Sequence, residues 1–199
     1  MSGLREKKAE RTRAAIFDRA VELFEERGFD DTTMKQIADA ADNGIATLYR
    51  YFPTKDSILL DPVLRNVGSI ARHLDARPAD EPIDLALGNT LQEILAEAEP
   101  ATEYVLRLRK IVDAAAGPRA GLWETRAREH ELLAESIARR TASSPSELWV
   151  GLAAHTTIMV GEMALDLRRF TPNAAPAASY AATLLDLLGG TDAVLPRLP

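Results

Sequence analysis

The stretch from Thr33 to Lys55 constrains the fold of this chain most, because it places several helix starts and stops in one short segment. Thr33 can supply an N-cap oxygen, and Gln36 follows three residues later. This spacing is the capping-box pattern, in which each side chain bonds the backbone N–H of the other residue. It therefore predicts a helix that begins at Met34.

A turn and a second short helix are predicted directly after this helix. Asp42-Asn43-Gly44 is a turn-forming cluster. A helix from Ile45 would bring Leu48 and Phe52, four residues apart, to the same inner face. Two short helices joined by a tight turn that contains glycine, with a long helix before them, predict a helix-turn-helix unit.

The long helix in front of this unit is predicted from about Ala9 to Arg27. Its apolar positions recur at intervals of three and four, as in an amphipathic helix: Ile16, Phe17, Ala20, Val21 and Phe24. Gly28 predicts the end of the helix. Phe29 then falls where a Schellman motif packs an apolar side chain against the last helical turn, here on Phe24.

The composition favours an all-α protein. Aromatic residues make up only 6% of the chain, Ala and Leu are abundant, and runs of β-branched residues are nearly absent. The chain has no cysteine, which excludes disulfides, thiolate metal sites and cysteine nucleophiles. No apolar run approaches the roughly 18 residues of a membrane span, and no apolar signal-peptide core follows the N-terminus. We therefore expect a cytoplasmic protein outside the membrane.

The charge distribution limits how this chain could bind nucleic acid. The net charge is -6, and the first 60 residues carry ten Lys and Arg against eleven Asp and Glu. Any affinity for DNA must therefore come from locally placed cations rather than from a basic domain. Such cations form an N-terminal basic arm: Arg5, Lys7, Lys8, Arg11 and Arg13.

The segment TTMKQIADAADNGIATLYRYFPTKDSIL closely resembles the N-terminal signature of the TetR/AcrR family of transcriptional regulators. The residues in register with that signature are Thr33, Ile37, Ala38, Thr47, Leu48, Tyr49, Phe52 and Lys55. The resemblance implies an all-α fold with an N-terminal three-helix DNA-binding head at residues 1–55. A helical body at residues 56–199 would bind a ligand and dimerise, and a helix from about residue 55 to 77 would connect the two.

The resemblance also implies which residues meet DNA. Thr33, Tyr49, Tyr51 and Lys55 would hold phosphates, and Lys35, Ile45, Ala46, Thr47 and Arg50 would lie near base edges. Hydroxyls and a lysine suit phosphates, and an arginine can contact guanine bidentately in the major groove. The spacing alone leaves a second interpretation open, in which Tyr49 and Tyr51 are half-buried aromatics and Arg50 is a solvated charge.

The predicted turn departs from the family pattern. The family usually has Gly-Val at the positions of Asp42 and Asn43, and often a serine at Gly44. Gly44 can cap a helix at the DNA surface but offers a phosphate no hydroxyl. Asn43 should loosen the packing of the turn unless its amide caps a helix end, and Asp42 should repel phosphate. We therefore expect weaker or more salt-sensitive DNA binding.

Further helices are predicted in the body from apolar spacing and from Pro, Gly and Ser breaks. Their approximate ranges are 55–77, 83–99, 101–116, 122–140, 145–170 and 174–188, followed by an irregular tail. Pro62 should bend the first of these helices. Ser144 and Glu147 form a second capping-box pattern, with Pro145 at the first helical position.

The last two predicted helices are apolar on most sides and so need neighbours on most sides. The resemblance implies that they pair with the same helices of a second copy to form a homodimer. Burial inside a monomer is the alternative.

Polar and aromatic residues set among apolar ones in the body are the candidates for a ligand pocket: Tyr104, Arg107, Trp123, His155 and Met159. Trp123 and His155 fit a core position equally well. The three histidines are far apart in sequence, and the chain contains no phosphate-binding glycine loop, G-x-S-x-G or H-E-x-x-H motif. We therefore expect no metal site, no cofactor and no enzymatic activity.

The resemblance implies a regulator that a small molecule releases from a palindromic operator, and a repressor rather than an activator because the family mostly represses. The alternative is a helical dimer that acts through protein partners or a ligand without DNA.

Overall fold

The computed structural model describes residues 2–171 and 174–190, in which the chain forms eleven α-helices and one 3-10 turn. Their bounds are α1 Ser2–Arg27, α2 Met34–Ala40, α3 Ile45–Tyr51, α4 Lys55–Leu59, α5 Asp61–Asn66, α6 Ser69–Ala76, α7 Ile83–Ala98, the 3-10 turn Glu99–Ala101, α8 Thr102–Ala114, α9 Ala116–Thr141, α10 Leu148–Phe170 and α11 Ala177–Gly189. The all-α prediction is confirmed. The predicted irregular tail beyond residue 190 lies outside the described residues.

The described chain forms two compact units. The first contains residues 2–66 and 104–125, and the second contains residues 67–103, 126–171 and 174–190. The functional domain boundary predicted between residues 55 and 56 stays a prediction.

The core of the first unit is built on the apolar stripe of α1. Ile16, Ala20 and Phe24 are buried there against Leu48 of α3 and the other members of one cluster. Each large apolar side chain that is fully removed from water stabilises the fold by about 1.5–3 kcal/mol. The predicted end of α1 is confirmed, because Gly28 has a φ of 87° and the Phe24 and Phe29 rings lie 5.0 Å apart.

The second unit has two apolar clusters. One gathers buried residues of α6, α7, α9 and α10, and the other gathers buried residues of α7, α10 and α11. These helices bury their shared faces as the periodicity predicts.

The single helix predicted from residue 55 to 77 is wrong, because three short helices occupy this range. Pro62 has no N–H to donate to Ile58, and the first break falls at Leu60. The second break is at Gly68, whose φ of 76° places it in the left-handed region. The Glu129 carboxylate accepts the N–H groups of Gly68 and Ile70 there, and so caps the start of α6 from a distant part of the chain.

Other helix boundaries also differ from the prediction. The basic arm is not an extended tail, because α1 already begins at Ser2. Gly117-Pro118 lies in the first turn of α9, where a missing proline N–H costs no helical hydrogen bond.

The second predicted capping box does not form as expected. The Ser144 N–H donates to Glu147 Oε1 at 2.9 Å, but Glu147 itself occupies the N-cap of α10. Pro145 therefore lies in a turn before the helix.

Candidate nucleic-acid interface

The helix α2 is fixed at its start by the predicted capping box. The Thr33 side chain accepts the Gln36 N–H at 3.2 Å, and Gln36 Oε1 accepts the Thr33 N–H at 2.8 Å. Two of the unpaired N–H groups at this helix end are therefore satisfied by side chains. Thr33 is exposed, but its hydroxyl also lies 3.0 Å from Gln36 Oε1, so its first role is to cap the helix.

The turn after α2 is a Schellman motif. The Asn43 N–H donates to Ala38 O at 3.0 Å and the Asp42 N–H to Asp39 O at 3.3 Å. These are the two bonds of that motif, and Asp42 occupies its left-handed position with a φ of 50°. The Asn43 amide donates to Ala41 O at 2.6 Å and so caps the helix end. We expect Asn43, at a position where the family usually has valine, to loosen the turn unless its amide caps a helix end. The amide does cap the end of α2, so the packing of the turn is kept.

The helix α3 presents one face to the core and the other to solvent. Leu48 is fully buried and Phe52 follows it into the core, as predicted. Gly44 is the N-cap, and its carbonyl accepts the Thr47 N–H at 2.8 Å. Tyr49 is 50% exposed. The other outward positions are Ile45, Ala46 and Arg50, which are exposed, and Thr47, which is half-buried.

Tyr51 differs from Tyr49 in its surroundings. It is half-buried and packs against the core of the first unit. The Arg50 guanidinium carbon lies 5.2 Å from the centre of the Tyr51 ring, a cation–π contact that orients the arginine. Tyr51 therefore packs against the Arg50 guanidinium, while Tyr49 is the more exposed of the two tyrosines.

Lys55 is engaged inside the first unit. Its ammonium donates to the carbonyl oxygens of Phe29, Asp30 and Thr32, the last at 2.9 Å, and lies 4.5 Å from the centre of the Phe29 ring. An ammonium has three N–H donors, and three carbonyls receive them. This geometry makes Lys55 a tie between α4 and the turn before α2, and it leaves no donor aimed at a phosphate.

The cations of the basic arm divide into two kinds. Arg5, Lys7, Lys8 and Arg11 are exposed on α1. Arg13 instead donates to both carboxylate oxygens of the buried Asp61, with its Nε 3.0 Å from Oδ1 and 3.1 Å from Oδ2, and lies over the Phe52 ring. Arg13 is therefore a structural residue of the first unit.

Negative charge lies beside the outward positions of α2. Lys35 Nζ is 3.4 Å from Asp39 Oδ2, and both side chains are exposed. Asp42 is exposed in the turn that follows. A phosphate near Lys35 would therefore also meet carboxylates.

The residues predicted for ligand binding are divided between the two units. Tyr104 packs on Phe17, with ring centres 5.9 Å apart, and burial raises its pKa to about 12. Arg107 binds Glu25 with its Nε 2.9 Å from Oε1, and Trp123 is 65% exposed. These three residues belong to the first unit.

His155 and Met159 belong to the second unit. The His155 ring lies 3.8 Å from the His130 ring, centre to centre, and His155 Nδ1 is 3.1 Å from Gly151 O. Both residues are exposed on the same face of α10, so they do not line an enclosed pocket.

That face of α10 is a long apolar surface, which we call the α10 stripe. Its exposed members recur every three or four residues: Leu148, Leu152, His155, Met159, Met163 and Leu167. By length and mean hydropathy of 1.3, the segment Leu148–Leu167 could also cross a membrane, although these properties are weak evidence. This finding corrects the expectation that no segment of the chain has the length and apolarity of a span.

A short exposed helix behind a tight turn, held by buried apolar residues and with small, aromatic and cationic side chains outward, defines a helix-turn-helix unit. Residues 16–61 match the profile of the family described as bacterial regulatory proteins, tetR family. Among curated proteins, the HTH-type transcriptional regulator TcmR of Streptomyces glaucescens is 33% identical over 93 residues, which are 47% of this chain and 41% of TcmR. The match thus spans less than half the length of that relative.

Solved structures resemble the described chain over most of its length. NalD of Pseudomonas aeruginosa, the secondary repressor of the MexAB-OprM multidrug efflux pump, is 19% identical with a TM-score of 0.65, over 89% of this chain and 94% of that one. FadR of Thermus thermophilus, a TetR family repressor solved with lauroyl-CoA, is 18% identical with a TM-score of 0.56, over 94% of this chain and 97% of that one. The N-terminal region of this chain therefore matches the tetR family profile, and the described chain has the fold of these solved structures.

Lys110 was missed by the sequence reasoning, although a signal was present. It lies one helical turn after Arg107 on the same face of α8, and a spacing of three places two cations side by side.

Proposed function

We propose that this chain is a homodimeric transcriptional regulator that binds a palindromic DNA site and is released from it by a small molecule. The observation that carries the proposal is the outward face of α3, where Ala46, Thr47, Tyr49 and Arg50 are accessible on a helix fixed by the buried Leu48. Small side chains let such a helix enter the major groove, and Arg50 supplies bidentate base recognition.

Few contacts would carry the affinity for DNA. Arg50 and the exposed cations of α1 supply the positive charge, while Lys55 and Arg13 are engaged within the protein. The salt dependence of binding reports the number of neutralised phosphates. A small number is expected here, because the acidic residues Asp39 and Asp42 lie beside the interface.

The α10 stripe supports the dimer. Leu148, Leu152 and Met163 are exposed there, and a second copy would remove them from water. Two-fold pairing would also set two α3 helices on half-sites one DNA turn apart, about 34–36 Å. The spacing of the two half-sites and the exposed α10 stripe both support a two-fold dimer. We place this dimer in the cytoplasm.

A small-molecule effector is supported by one unsatisfied group in the second unit. The Thr90 hydroxyl on α7 is fully buried and has no hydrogen-bond partner among the described residues. A buried hydroxyl without a partner costs about 1–3 kcal/mol, and a polar atom of a ligand would satisfy it. Such a ligand would release DNA if it bound better to a conformation with the wrong spacing of the two heads.

The test of the proposal is selection of bound duplexes from random DNA with the full chain. The expected result is a palindromic site, to which Arg50→Ala binds at least about tenfold more weakly. Arg128→Ala is the matched control, since Arg128 is an exposed arginine of the second unit that pairs with Glu131. Recovery of no palindrome at low salt would favour a helical dimer that acts through protein partners or a ligand alone.

A further inference from the structure

A cleft of about 480 Å³ lies in the first unit, between the end of α1 and one face of α8. Its volume is in the range of small-molecule sites. Its apolar lining comes from Phe24 and Phe29 on one side and from Ile111 and Ala114 on the other. We call it the α1–α8 cleft; its lining residues all belong to the first unit, and none lies on α3.

Charged groups of opposite sign border the two sides of this cleft. Arg107 and Lys110 stand on α8, while Glu25, Asp30 and Asp31 stand on α1 and the turn after it. Arg107 and Glu25 already bind each other across the cleft. The hydrogen bond from Arg107 lowers the pKa of Glu25, so this pair remains ionised.

The other three charged groups make no direct polar contact in the part of the chain that the structure describes, although Lys110 also attracts the Glu25 carboxylate electrostatically. Within the described residues, the side chains of Lys110, Asp30 and Asp31 make no hydrogen bond and no ion pair. One wall therefore offers a cation without a direct ion pair and the opposite wall offers two such carboxylates, while Phe24, Phe29 and Ile111 line the floor with little of their surface exposed.

This arrangement discriminates between classes of ligand. A simple anion would pair with Lys110 but would be repelled by Asp30 and Asp31. A simple cation would pair with the carboxylates but would be repelled by Lys110. A molecule with a carboxylate and an ammonium can pair at both ends, and an apolar side group can contact the small part of Phe24 and Phe29 that lines the cleft.

We propose that the α1–α8 cleft binds a small zwitterion with an apolar side group, of the α-amino acid type. The occupant touches the turn from Gly28 to Asp31, whose carbonyls hold the Lys55 ammonium. That turn leads directly into the cap of α2. Binding therefore stabilises the helix-turn-helix unit through the turn that precedes α2. The cleft is distinct from the proposed effector region around Thr90.

Calorimetric titration of the full chain without DNA tests the proposal with three probes: L-phenylalanine, 2-phenylethylamine and phenylacetate. The two analogues each lack one charge of the amino acid. Phenylalanine is expected to bind most tightly, and loss of either charge is expected to weaken binding about threefold or more, the scale of exposed ion pairs. Binding as tight for either analogue as for phenylalanine, or no binding of any probe, overturns the proposal.

Lys110→Gln localises the site. It is expected to weaken phenylalanine binding about threefold and to leave 2-phenylethylamine binding no weaker. Lys35→Gln is the matched control, because Lys35 is an exposed lysine of the same unit outside the cleft. Equal phenylalanine binding by Lys110→Gln and the native chain contradicts the assignment. None of these measurements involves DNA, so failure here is distinct from failure of the proposed regulator.

Discussion

The guanidinium of Arg13 binds the carboxylate of Asp61 across 48 positions of sequence, and thereby joins α1 to the first turn of α5. The Asp61 side chain is 8% exposed and the Arg13 side chain 29%. The hydrogen bond to Asp61 raises the pKa of Arg13, so the cation persists at any ordinary pH. A residue of the basic arm thus acts as a structural tie of the first unit.

Asp61→Asn is expected to lower the free energy of unfolding by about 2 kcal/mol, because it leaves a half-buried guanidinium without its anion. Urea denaturation followed by circular dichroism measures the change. Arg65→Gln is the control, since it breaks the exposed ion pair between Arg65 and Glu10 and should cost less than about 1 kcal/mol. Equal losses in the two variants would contradict a structural role specific to Asp61.

Lys55→Met is expected to destabilise the protein by about 2 kcal/mol, because three carbonyls lose a charged donor. The salt dependence of DNA binding, measured by fluorescence anisotropy, should keep its slope. Lys8→Gln should do the reverse, with unchanged stability and a slope reduced by about 1. If Lys55→Met instead reduces the slope and leaves stability unchanged, Lys55 contacts a phosphate, as the family resemblance implies.

Asp42→Gly is expected to stabilise the protein by about 1 kcal/mol, because glycine adopts the left-handed conformation of this position without steric cost. It should also strengthen DNA binding by removing a negative charge. Asp42→Ala separates the two effects, since it removes the charge but retains the strained φ. Thermal unfolding and anisotropy together measure both; equal stability in the glycine and alanine variants would show that the turn is not strained.

His73 gives the second unit a pH-dependent contribution. Its Nδ1 lies 2.8 Å from Ser69 O and its Nε2 3.3 Å from Glu97 Oε2. The bond to Ser69 and then the bond to Glu97 raise the pKa of His73 despite partial burial. A raised folded-state pKa contributes stability that is complete below the unfolded value of about 6.5 and is lost as pH rises through the folded value.

His73→Gln should therefore cost up to about 1 kcal/mol at about pH 5.5 and almost nothing at about pH 8.5. Urea denaturation at the two pH values measures the difference. A cost that is the same at both pH values would assign His73 a role in packing alone.

Leu152→Glu is expected to convert the proposed dimer to a monomer, because Leu152 is 68% exposed in the single chain and lies on the α10 stripe. A carboxylate buried there without a partner opposes association. Leu85→Glu is the matched control, since Leu85 is 57% exposed on α7. Sedimentation equilibrium should find a dimer for the native chain and for Leu85→Glu; a dimer of Leu152→Glu would place the interface elsewhere.

Local signals in the sequence located the helix-turn-helix unit. The Thr33 capping box, the glycine end of α1 and the inward pair Leu48 and Phe52 all formed as predicted. Each depends on residues a few positions apart, so the chemistry that decides it is readable along the chain. The outward face of α3 follows from the same helical geometry.

Long-range contacts decided what several of these residues do. Lys55 matches a DNA-binding signature, but its ammonium donates to the carbonyl of Phe29, 26 positions earlier. The helix predicted from residue 55 to 77 breaks at Gly68, where Glu129 accepts the freed N–H groups. Neither partner is adjacent in sequence, so periodicity cannot find them.

The sequence by itself determined an all-α chain with a helix-turn-helix near its start, because caps, turns and apolar spacing are local properties. Only the tertiary structure decided which cations remain available and which are engaged within the protein. It also brought Arg107 and Lys110 opposite Glu25, Asp30 and Asp31. The physical reason is that an ion pair or a cleft depends on which helix faces meet, and that is fixed by burial of the common core.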